Sequence, residues 1–435
     1  MNMGRIIFLL LFSFLFFAAS AQEMLTLQQA VEIALKNNYS ITIARNESEI
    51  AKNDATIGNA GMLPQVTLNA SRNFSGSDTK QEYSNGTTLD REGVTSNFTN
   101  AGILLNWTLF DGMKMFATYD KLKVLSTMGE LDAKIQIENT VEQIILSYYS
   151  VVEQKQLLIA NDSTIAIFSE RVTITEEKWK IGSGSKSDYL QAQVDLNEQK
   201  SLRLKQKSAI TIEKIKLNQL LARKSEMDFD VASEIDFIAK ISPLLTTNET
   251  LAKNNTILFY DKNTLVSKYS LREFQSQRFP SLQFNTSYNF ARTENQAGFF
   301  LLNQNLGYNA GLTVSWTLFN GFNTNRQVKN ANLLKLNSQL TLENVKAQVS
   351  ADLQAAYENY KSALEALTLE EQNIQLAKEN STIMLSLFKY GNATSLDIKT
   401  AQKSFTDALT RLVQARYDAK VAETSLQKLQ GELVK

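Results

Sequence analysis

The sequence predicts a mainly α-helical chain that also carries membrane-type β-strands, and it predicts that one structural unit occurs twice. The segment WTLFDG at 107–112 recurs 209 positions later as WTLFNG at 316–321. A fixed register over this distance is typical of packed helices, because a slip of one residue rotates each later side chain by about 100°. Only three prolines occur in 435 residues, which favours long helices, since an interior proline costs about 3 kcal/mol.

The first 21 residues predict a signal peptide. A basic start ending at Arg5 precedes an apolar run at 6–18, and Ala19-Ser20-Ala21 fits a small-x-small cleavage pattern. The apolar run is too short to span a bilayer. The chain has no cysteine, so lipid attachment through cysteine, disulfides and thiolate metal sites are excluded.

Each repeat is predicted to contain a helix, a β-hairpin, a long helix and a return helix. A short strand is expected at 227–231, within an equatorial linker at 223–246. Polar stretches at 75–98 and 291–308 predict a long loop in each hairpin. The first repeat, 22–222, has these elements at 25–60, 64–110, 113–180 and 188–222, and the second, 247–435, has them at about 248–278, 280–319, 322–389 and 397–431.

The four predicted strands, each of about 10 residues, alternate apolar residues with small polar ones. This length and pattern are typical of strands in a membrane barrel, and two hairpins of a soluble sandwich are the alternative. Each hairpin ends in a Trp–Phe pair, which predicts a girdle at the membrane interface rather than core packing at a strand–helix junction. The girdle residues are Trp107, Phe110, Trp316 and Phe319.

Four strands cannot close a barrel, and an open edge in lipid leaves unpaired backbone groups that cost several kcal/mol each. Two chains would give eight strands, whose interior is filled by side chains. Three chains give twelve strands, the smallest multiple that encloses an open channel. The fold prediction is therefore a trimeric 12-stranded β-barrel, with four strands per chain, continuous with a long α-helical barrel. Each long helix is expected to measure about 100 Å.

Several motifs carry a resemblance to a known family. They are the start LTLQQA at 25–30, Leu63-Pro64 before the first strand, the paired WTLF motifs and the Gly-x-x-x-x-x-Asp turns. Over essentially the whole mature chain, the sequence resembles the TolC-like outer-membrane efflux protein family. The resemblance implies a homotrimeric duct in the cell outer membrane, in contact with lipid and extending into the periplasm. It also implies docking onto a periplasmic adaptor (membrane fusion) protein and an inner-membrane transporter, in tripartite efflux or type I secretion.

The turns between long and return helices are predicted to be adaptor-docking tips. A glycine after each long helix supplies a left-handed residue. Ser185-x-x-Asp188 and Thr394-x-x-Asp397 predict capping boxes, and capping is the alternative role for both aspartates. The predicted docking residues are Gly182, Gly184, Ser185, Asp188, Gly391 and Thr394.

The resemblance also implies a periplasmic entrance narrowed by acidic residues early in the second return helix. Asp397 matches one such position. Thr400 stands where a second acid is often found, and Lys399 is expected to offset part of the negative charge. Ala393 stands where some members carry a basic gate residue, which puts a lock between neighbouring hairpins in doubt.

The composition argues against an enzyme. Neither histidine nor cysteine occurs, and no Gly-rich phosphate loop is present, so we expect no catalytic, metal or cofactor site. The balance of 45 basic and 45 acidic residues argues against nucleic-acid binding. A surface adhesin or structural coiled-coil fibre is the alternative function. The strands between half-length helices and the lack of a sustained 3.5-residue repeat argue against it.

Overall fold

A computed structural model describes residues 24–237 and 248–433. The predicted signal peptide and residues 238–246 of the predicted linker lie outside this part of the chain. Within it, none of the helices is both long and apolar enough to cross a membrane. In chain order the elements are α1 Leu27–Asn37, α2 Tyr39–Asp54, β1 Gln65–Glu82, β2 Thr88–Asp111, α3 Lys114–Lys180, α4 Lys186–Leu220, α5 Asn248–Lys253, α6 Asn255–Ser276, β3 Ser281–Asn295, β4 Leu302–Ser315, α7 Asn323–Lys389 and α8 Ser395–Leu429.

The chain divides into two compact units. The helical unit comprises the described parts of Met1–Asn46, Asp132–Ile257 and Val345–Lys435. The sheet unit comprises Glu47–Leu131 and Leu258–Asn344. The long helices α3 and α7, each of 67 residues, contribute to both units.

The four strands form one antiparallel sheet in the order β1-β2-β3-β4. The two hairpins are therefore neighbours, joined through β2 and β3, and the sheet has β1 and β4 as its edges. The sheet does not close on itself within one chain. This is the arrangement from which the sequence predicts pairing with further copies.

The strands are longer than predicted, and the predicted loops are wrong. Strands β1 and β2 have 18 and 24 residues, and only 83–87 connects them, where the sequence predicted a loop over 75–98. The second connection is 296–301 rather than 291–308. Serine, threonine and asparagine in these stretches do not mark a loop. The backbone N–H and C=O groups of neighbouring strands pair through them even where neither face of the sheet is apolar.

The half-length helices also differ from prediction. The helix predicted at 25–60 is broken at Asn38 and ends at Asp54, and the one predicted at about 248–278 is broken at Asn254. Both return helices begin two residues earlier than predicted, at Lys186 and Ser395.

Both breaks show the same hydrogen-bond arrangement, which was not predicted from the sequence. The Asn38 side chain accepts hydrogen bonds from the backbone N–H groups of Ser40 and Ile41, at 2.8 and 3.2 Å, and so caps α2. Its amide donates to the Leu220 carbonyl oxygen at 2.7 Å, at the end of α4. One buried asparagine thus joins the end of a return helix to the start of the next helix.

Asn254 does the same in the second repeat. It accepts from the Thr256 and Ile257 N–H groups at 3.0 and 3.2 Å and donates to the Leu429 carbonyl oxygen at 3.3 Å. The shared pattern Asn-x-Ser/Thr-Ile is the signal by which the sequence marks both junctions.

Replacing Asn38 with alanine is expected to lower the free energy of unfolding by about 1–3 kcal/mol, since it strands buried backbone groups at both helix ends. Asn254→Ala should cost a similar amount. Asn37→Ala, at the exposed neighbouring position, is the control and should change stability little. Thermal unfolding of the purified protein in detergent measures all three. Equal midpoints for Asn37→Ala and Asn38→Ala would contradict this account.

The described part of the predicted linker contributes to the core of the helical unit. Phe229 and Val231 are fully buried, and they pack in one cluster with Leu25, Tyr148 and Val152. The short strand predicted at 227–231 is reduced to a single parallel bridge between Met24 and Asp230.

Candidate functional site

Two tight turns connect the long helices to the return helices in the helical unit. We name 181–185, between α3 and α4, turn 1, and 390–394, between α7 and α8, turn 2. Gly182 and Gly391 have φ of 77° and 85°, in the left-handed region that favours glycine. At Gly184 the constraint is space, because an added Cβ would lie 2.8 Å from Lys178 Cβ.

The return helices are capped differently. Thr394 and Asp397 form a capping box: Thr394 Oγ1 accepts from the Asp397 N–H at 3.2 Å, and Asp397 Oδ2 accepts from the Thr394 N–H at 2.9 Å. In turn 1, Ser185 accepts instead from the Ser187 N–H at 3.0 Å, and no capping box with Asp188 forms. The capping box predicted at Thr394 and Asp397 is therefore observed, and the one predicted at Ser185 and Asp188 is wrong.

Turns 1 and 2 meet around one cleft of about 450 Å³. Lys178 reaches across it, donating to the Phe388 carbonyl oxygen and lying 4.3 Å from the centre of the Phe388 ring. Of the six predicted docking residues, five line the cleft and Gly182 does not. The five are Gly184, Ser185, Asp188, Gly391 and Thr394.

The three predicted entrance residues lie near the start of α8, but they are not one cluster. Asp397 and Thr400 are both exposed, three positions apart on the helix. Lys399 points elsewhere: its Nζ contacts Asp195 Oδ1 at 3.0 Å. The hydrogen bond from the Thr394 side chain lowers the pKa of Asp397, so this carboxylate is ionised at neutral pH.

A buried ion pair that was not predicted from the sequence joins α3 to α4. Arg171 of α3 and Asp195 of α4 are joined at 3.0 Å, with side chains 1% and 6% exposed. Arg171 Nη1 also donates to Gln402 of α8 at 3.3 Å. Among the described residues, the Nε and Nη2 groups of Arg171 have no partner.

A signal for this ion pair does exist in the sequence. Thr164, Phe168, Arg171 and Thr175 follow one another at steps of four, three and four, so arginine occupies a position on the buried stripe of α3. A charged residue at such a position needs a partner. Burial by itself would raise the pKa of Asp195, but hydrogen bonds from Gln191 and Lys399 and the charge of Arg171 outweigh it and lower that pKa.

In the sheet unit, one face of the sheet is apolar. Because directly paired residues share a face, the register groups the side chains into cross-strand rows. Five successive rows of this face are mainly apolar: Phe110, Leu282 and Val314; Trp107, Phe284 and Leu312; Val66, Leu105, Thr286 and Ala310; Leu68, Ile103, Tyr288 and Tyr308; and Ala70, Ala101, Phe290 and Leu306.

A β-bulge between Thr108 and Phe110 explains how two of the predicted girdle residues, Trp107 and Phe110, lie on the same face of the sheet. Strict alternation would place Trp107 and Phe110 on opposite faces, but the bulge pairs them with Phe284 and Leu282, which share a face. The two tryptophans make equivalent hydrogen bonds. Trp107 Nε1 donates to the Met62 carbonyl oxygen, and Trp316 Nε1 donates to the Arg278 carbonyl oxygen. Trp316 and Phe319 follow β4, with exposed fractions of 57% and 73%.

Over most of its length, the opposite face of the sheet is polar and uncharged. Between the rows that begin at Gln65 and Ser75, it carries amides, hydroxyls and glycine, with few apolar side chains and no Asp, Glu, Lys or Arg. Asn289 lies over Gly102, where an added Cβ would be 1.9 Å from its Oδ1. A barrel closed with this face inward has a wet lumen without fixed side-chain charge at these rows.

Comparison with known proteins places these features in a family. The model of the outer membrane efflux protein family matches residues 30–223 and 248–432. The chain is 21% identical to the outer membrane protein TolC of Escherichia coli K12, over 95% of this chain and 84% of the relative. It is 20% identical to the proteases secretion protein PrtF of Dickeya chrysanthemi, over 92% and 86%.

Solved structures agree on the fold. The outer-membrane channel OprN superposes with a TM-score of 0.79 at 16% identity, over 93% of this chain and 90% of that one. The Campylobacter jejuni CmeC outer membrane channel gives a TM-score of 0.78 at 16% identity, over 93% and 85%.

These matches confirm the predicted fold class and the outer-membrane location, and they favour an exit duct over an adhesin or fibre. Channels of this type are homotrimers that work with a periplasmic adaptor and an inner-membrane transporter, in efflux and in type I secretion. The relatives are channels rather than enzymes. The family model covers both repeats, including both turns and all four strands, and the chain therefore belongs to the outer membrane efflux protein family.

Proposed function

We propose that this protein is a passive exit duct without catalytic activity, in which turns 1 and 2 receive the adaptor and the start of α8 lines the entrance. The transporter then supplies the energy and selects the cargo. The observation that carries the proposal is the cleft between the turns, since five of the six predicted docking residues line it. Lys178 and Asp188 add charge of both signs, which suits a polar partner surface.

Alanine at Gly182 or Gly391 is expected to reduce export while leaving the trimer intact. Both glycines have open space around an added Cβ, so the change strains only the left-handed backbone, by roughly 1–2 kcal/mol. That is enough to shift a turn and too little to unfold the protein. Ethidium accumulation in cells that depend on this duct measures export, and mass photometry measures assembly.

Gly61→Ala is the matched control. Gly61 has φ of 82° and nothing within 4 Å of an added Cβ, so the backbone strain is the same outside the turns. Normal export by this variant, with export lost in Gly391→Ala, assigns docking to the turns. Loss of the trimer in Gly391→Ala would show that turn 2 is needed for folding instead.

The entrance proposal rests on the exposed carboxylate of Asp397. Three copies around a threefold axis would place like charges in a narrow mouth, where they attract cations. The polar face of the sheet carries no charged side chain at the rows described above, so the barrel section adds little charge selectivity. Asparagine at 397 keeps an oxygen able to cap α8 and removes only the charge.

Asp397→Asn is therefore expected to lower the cation preference of single channels in planar bilayers. The loss should be clear at 0.1 M salt, where the Debye length is about 10 Å, and small at 1 M, where it is about 3 Å. Reversal potentials in a salt gradient measure it.

Asp188→Asn is the comparison, because Asp188 occupies the equivalent position in the first repeat. We expect it to leave the reversal potential nearly unchanged. An unchanged potential in Asp397→Asn together with a shift in Asp188→Asn would move the entrance to the first hairpin. If neither variant shifts the potential, Asp397 is a helix cap only.

We also propose that the apolar face of the sheet contacts lipid and that Trp107, Phe110, Trp316 and Phe319 form its interfacial girdle. The two tryptophans support this, because each buries part of its ring and donates its indole N–H to a backbone carbonyl. The edges β1 and β4 pair with neighbouring copies, so that three chains close the barrel without open edges.

A further inference from the structure

The apolar face of the sheet ends at a row that carries two arginines. Arg72 pairs with Thr99, Thr99 with Arg292, and Arg292 with Gln304. We call these four residues the arginine row. It directly follows the fifth apolar row, which holds Phe290, and none of the five apolar rows contains a charged residue.

The position of the arginine row matches the edge of a membrane. From Leu282 to Phe290, the five apolar rows cover about 27 Å of strand at roughly 3.4 Å per residue. With a strand tilt of about 40°, this corresponds to roughly 20 Å of depth, close to the band of about 25 Å in outer-membrane barrels. The arginines therefore lie at the level of lipid headgroups, on the side where the β1–β2 and β3–β4 connections lie.

Both arginine side chains lean away from the apolar rows. The Arg72 guanidinium lies over the ring of Phe74, 5.0 Å from its centre, and Phe74 is two residues farther from the apolar band. Arg292 Nε donates to Glu294 Oε1 at 2.8 Å, and Glu294 is also two residues farther. Strands β1 and β3 run in the same direction, so both side chains extend towards the same headgroup region.

Other charges near the arginine row are few. Glu294 is the only acidic residue in the row or in the next one outward, which also holds Phe74, Asn97 and Leu302. The side chain of Arg292 remains 44% exposed beside Glu294. The sheet thus presents two guanidinium groups and one carboxylate at this level, a net positive charge in each chain and three times that in a trimer.

We propose that the arginine row binds the phosphate groups of outer-leaflet lipids. Guanidinium groups bind phosphate through paired N–H donors and are more weakly hydrated than ammonium groups, so they suit a site at the lipid–water boundary. Phosphates are the anionic groups that membrane lipids place at this depth. Individual lipid molecules are then specific ligands of the barrel, in addition to forming the membrane around it.

The test is lipid binding by the purified trimer in nonionic detergent. The probes are a bis-phosphorylated acylated diglucosamine (lipid A) and the same molecule after its phosphates are removed, with bound lipid counted by native mass spectrometry. The wild-type trimer should bind the phosphorylated form at least about tenfold more tightly. The variant Arg72→Gln/Arg292→Gln should lose this discrimination, and Arg72→Lys/Arg292→Lys should retain part of it.

The control variant is Lys80→Gln/Arg91→Gln. It also removes two positive charges, but from the part of the β1–β2 hairpin that extends beyond the Ser96–Asn295 pair with β3. This variant should bind lipid A as the wild type does. Equal wild-type binding of both lipids would overturn the proposal, as would preserved discrimination in Arg72→Gln/Arg292→Gln. The proposal rests on the outer-membrane duct, but single-channel conductance tests the duct separately and does not depend on this binding.

Discussion

Replacing Gly112 with alanine is expected to destabilise the protein strongly, by about 3 kcal/mol or more. Gly112 connects β2 to α3 with φ of 72°, and an added Cβ would lie 2.4 Å from the Ser276 carbonyl oxygen and 3.0 Å from Phe279 Cβ. The left-handed backbone costs alanine roughly 1–2 kcal/mol. The contact adds to this, because the Ser276 carbonyl belongs to the end of a helix and moves only with it.

Gly321 provides a matched control, because it is the equivalent residue of the second repeat. Its φ of 67° is similar, but the nearest atom to an added Cβ is Asn323 Nδ2 at 3.8 Å. Gly321→Ala should therefore cost only the backbone strain, about 1–2 kcal/mol. Thermal midpoints in detergent and the yield of assembled trimer measure both. Similar losses in the two variants would show that the close approach to α6 does not govern the effect.

Replacing Arg171 with methionine is expected to lower the free energy of unfolding by about 3–5 kcal/mol. The substitution keeps most of the buried volume but leaves the Asp195 carboxylate with less compensation in a nearly dry site. Lys399 and Gln191 still bind that carboxylate, so the cost should fall toward the lower end of the range. Chemical denaturation followed by circular dichroism is the measurement.

The double variant Arg171→Met/Asp195→Leu separates the charge from the packing. Replacing both buried charges with apolar side chains often restores stability, so this variant should be more stable than Arg171→Met alone. A double variant that is no more stable than Arg171→Met would contradict the explanation that the cost comes from an unpaired buried charge.

The same pair predicts a dependence on acid. The pKa of Asp195 is lowered in the folded protein, so its contribution to stability is complete above the unfolded pKa of about 3.9. The contribution is lost as the pH falls through the lower folded value. Below about pH 4, the midpoint of chemical denaturation should therefore fall more steeply with decreasing pH for the wild type than for Arg171→Met/Asp195→Leu.

Much of the fold follows from periodicity in the sequence. Steps of three and four over 113–180 and 322–389 predict the long helices, and α3 and α7 end where predicted, at Lys180 and Lys389. Glycine at 182 and at 391 marks the ends of these helices, because it tolerates the left-handed residue that terminates a helix. These signals are local, so no tertiary information is needed to find them.

The errors have a different origin. The sequence does not show that β1 and β2 pair as far as Glu82 and Thr88, because polar residues in water lack the alternation that a membrane imposes on strands. The pattern Asn-x-Ser/Thr-Ile marks Asn38, but the carbonyl oxygen that its side chain binds, at the end of α4, lies 182 positions away in the sequence. Likewise, the contact between Lys399 of α8 and Asp195 of α4 is not marked at either position in the sequence.

By itself, the sequence determined the duplication, the long helices, the apolar and polar faces of the strands and the membership of the family, because each depends on residue type at fixed spacing. The tertiary structure decided the common face of Trp107 and Phe110. It also supplied the partners of Asn38, Asn254 and Arg171, whose positions the sequence marks without identifying those partners. It also decided the arginine row. These features depend on which strand or helix end lies opposite a given residue. A one-residue bulge or a distant partner decides this, and neither leaves a sequence pattern that identifies the partner.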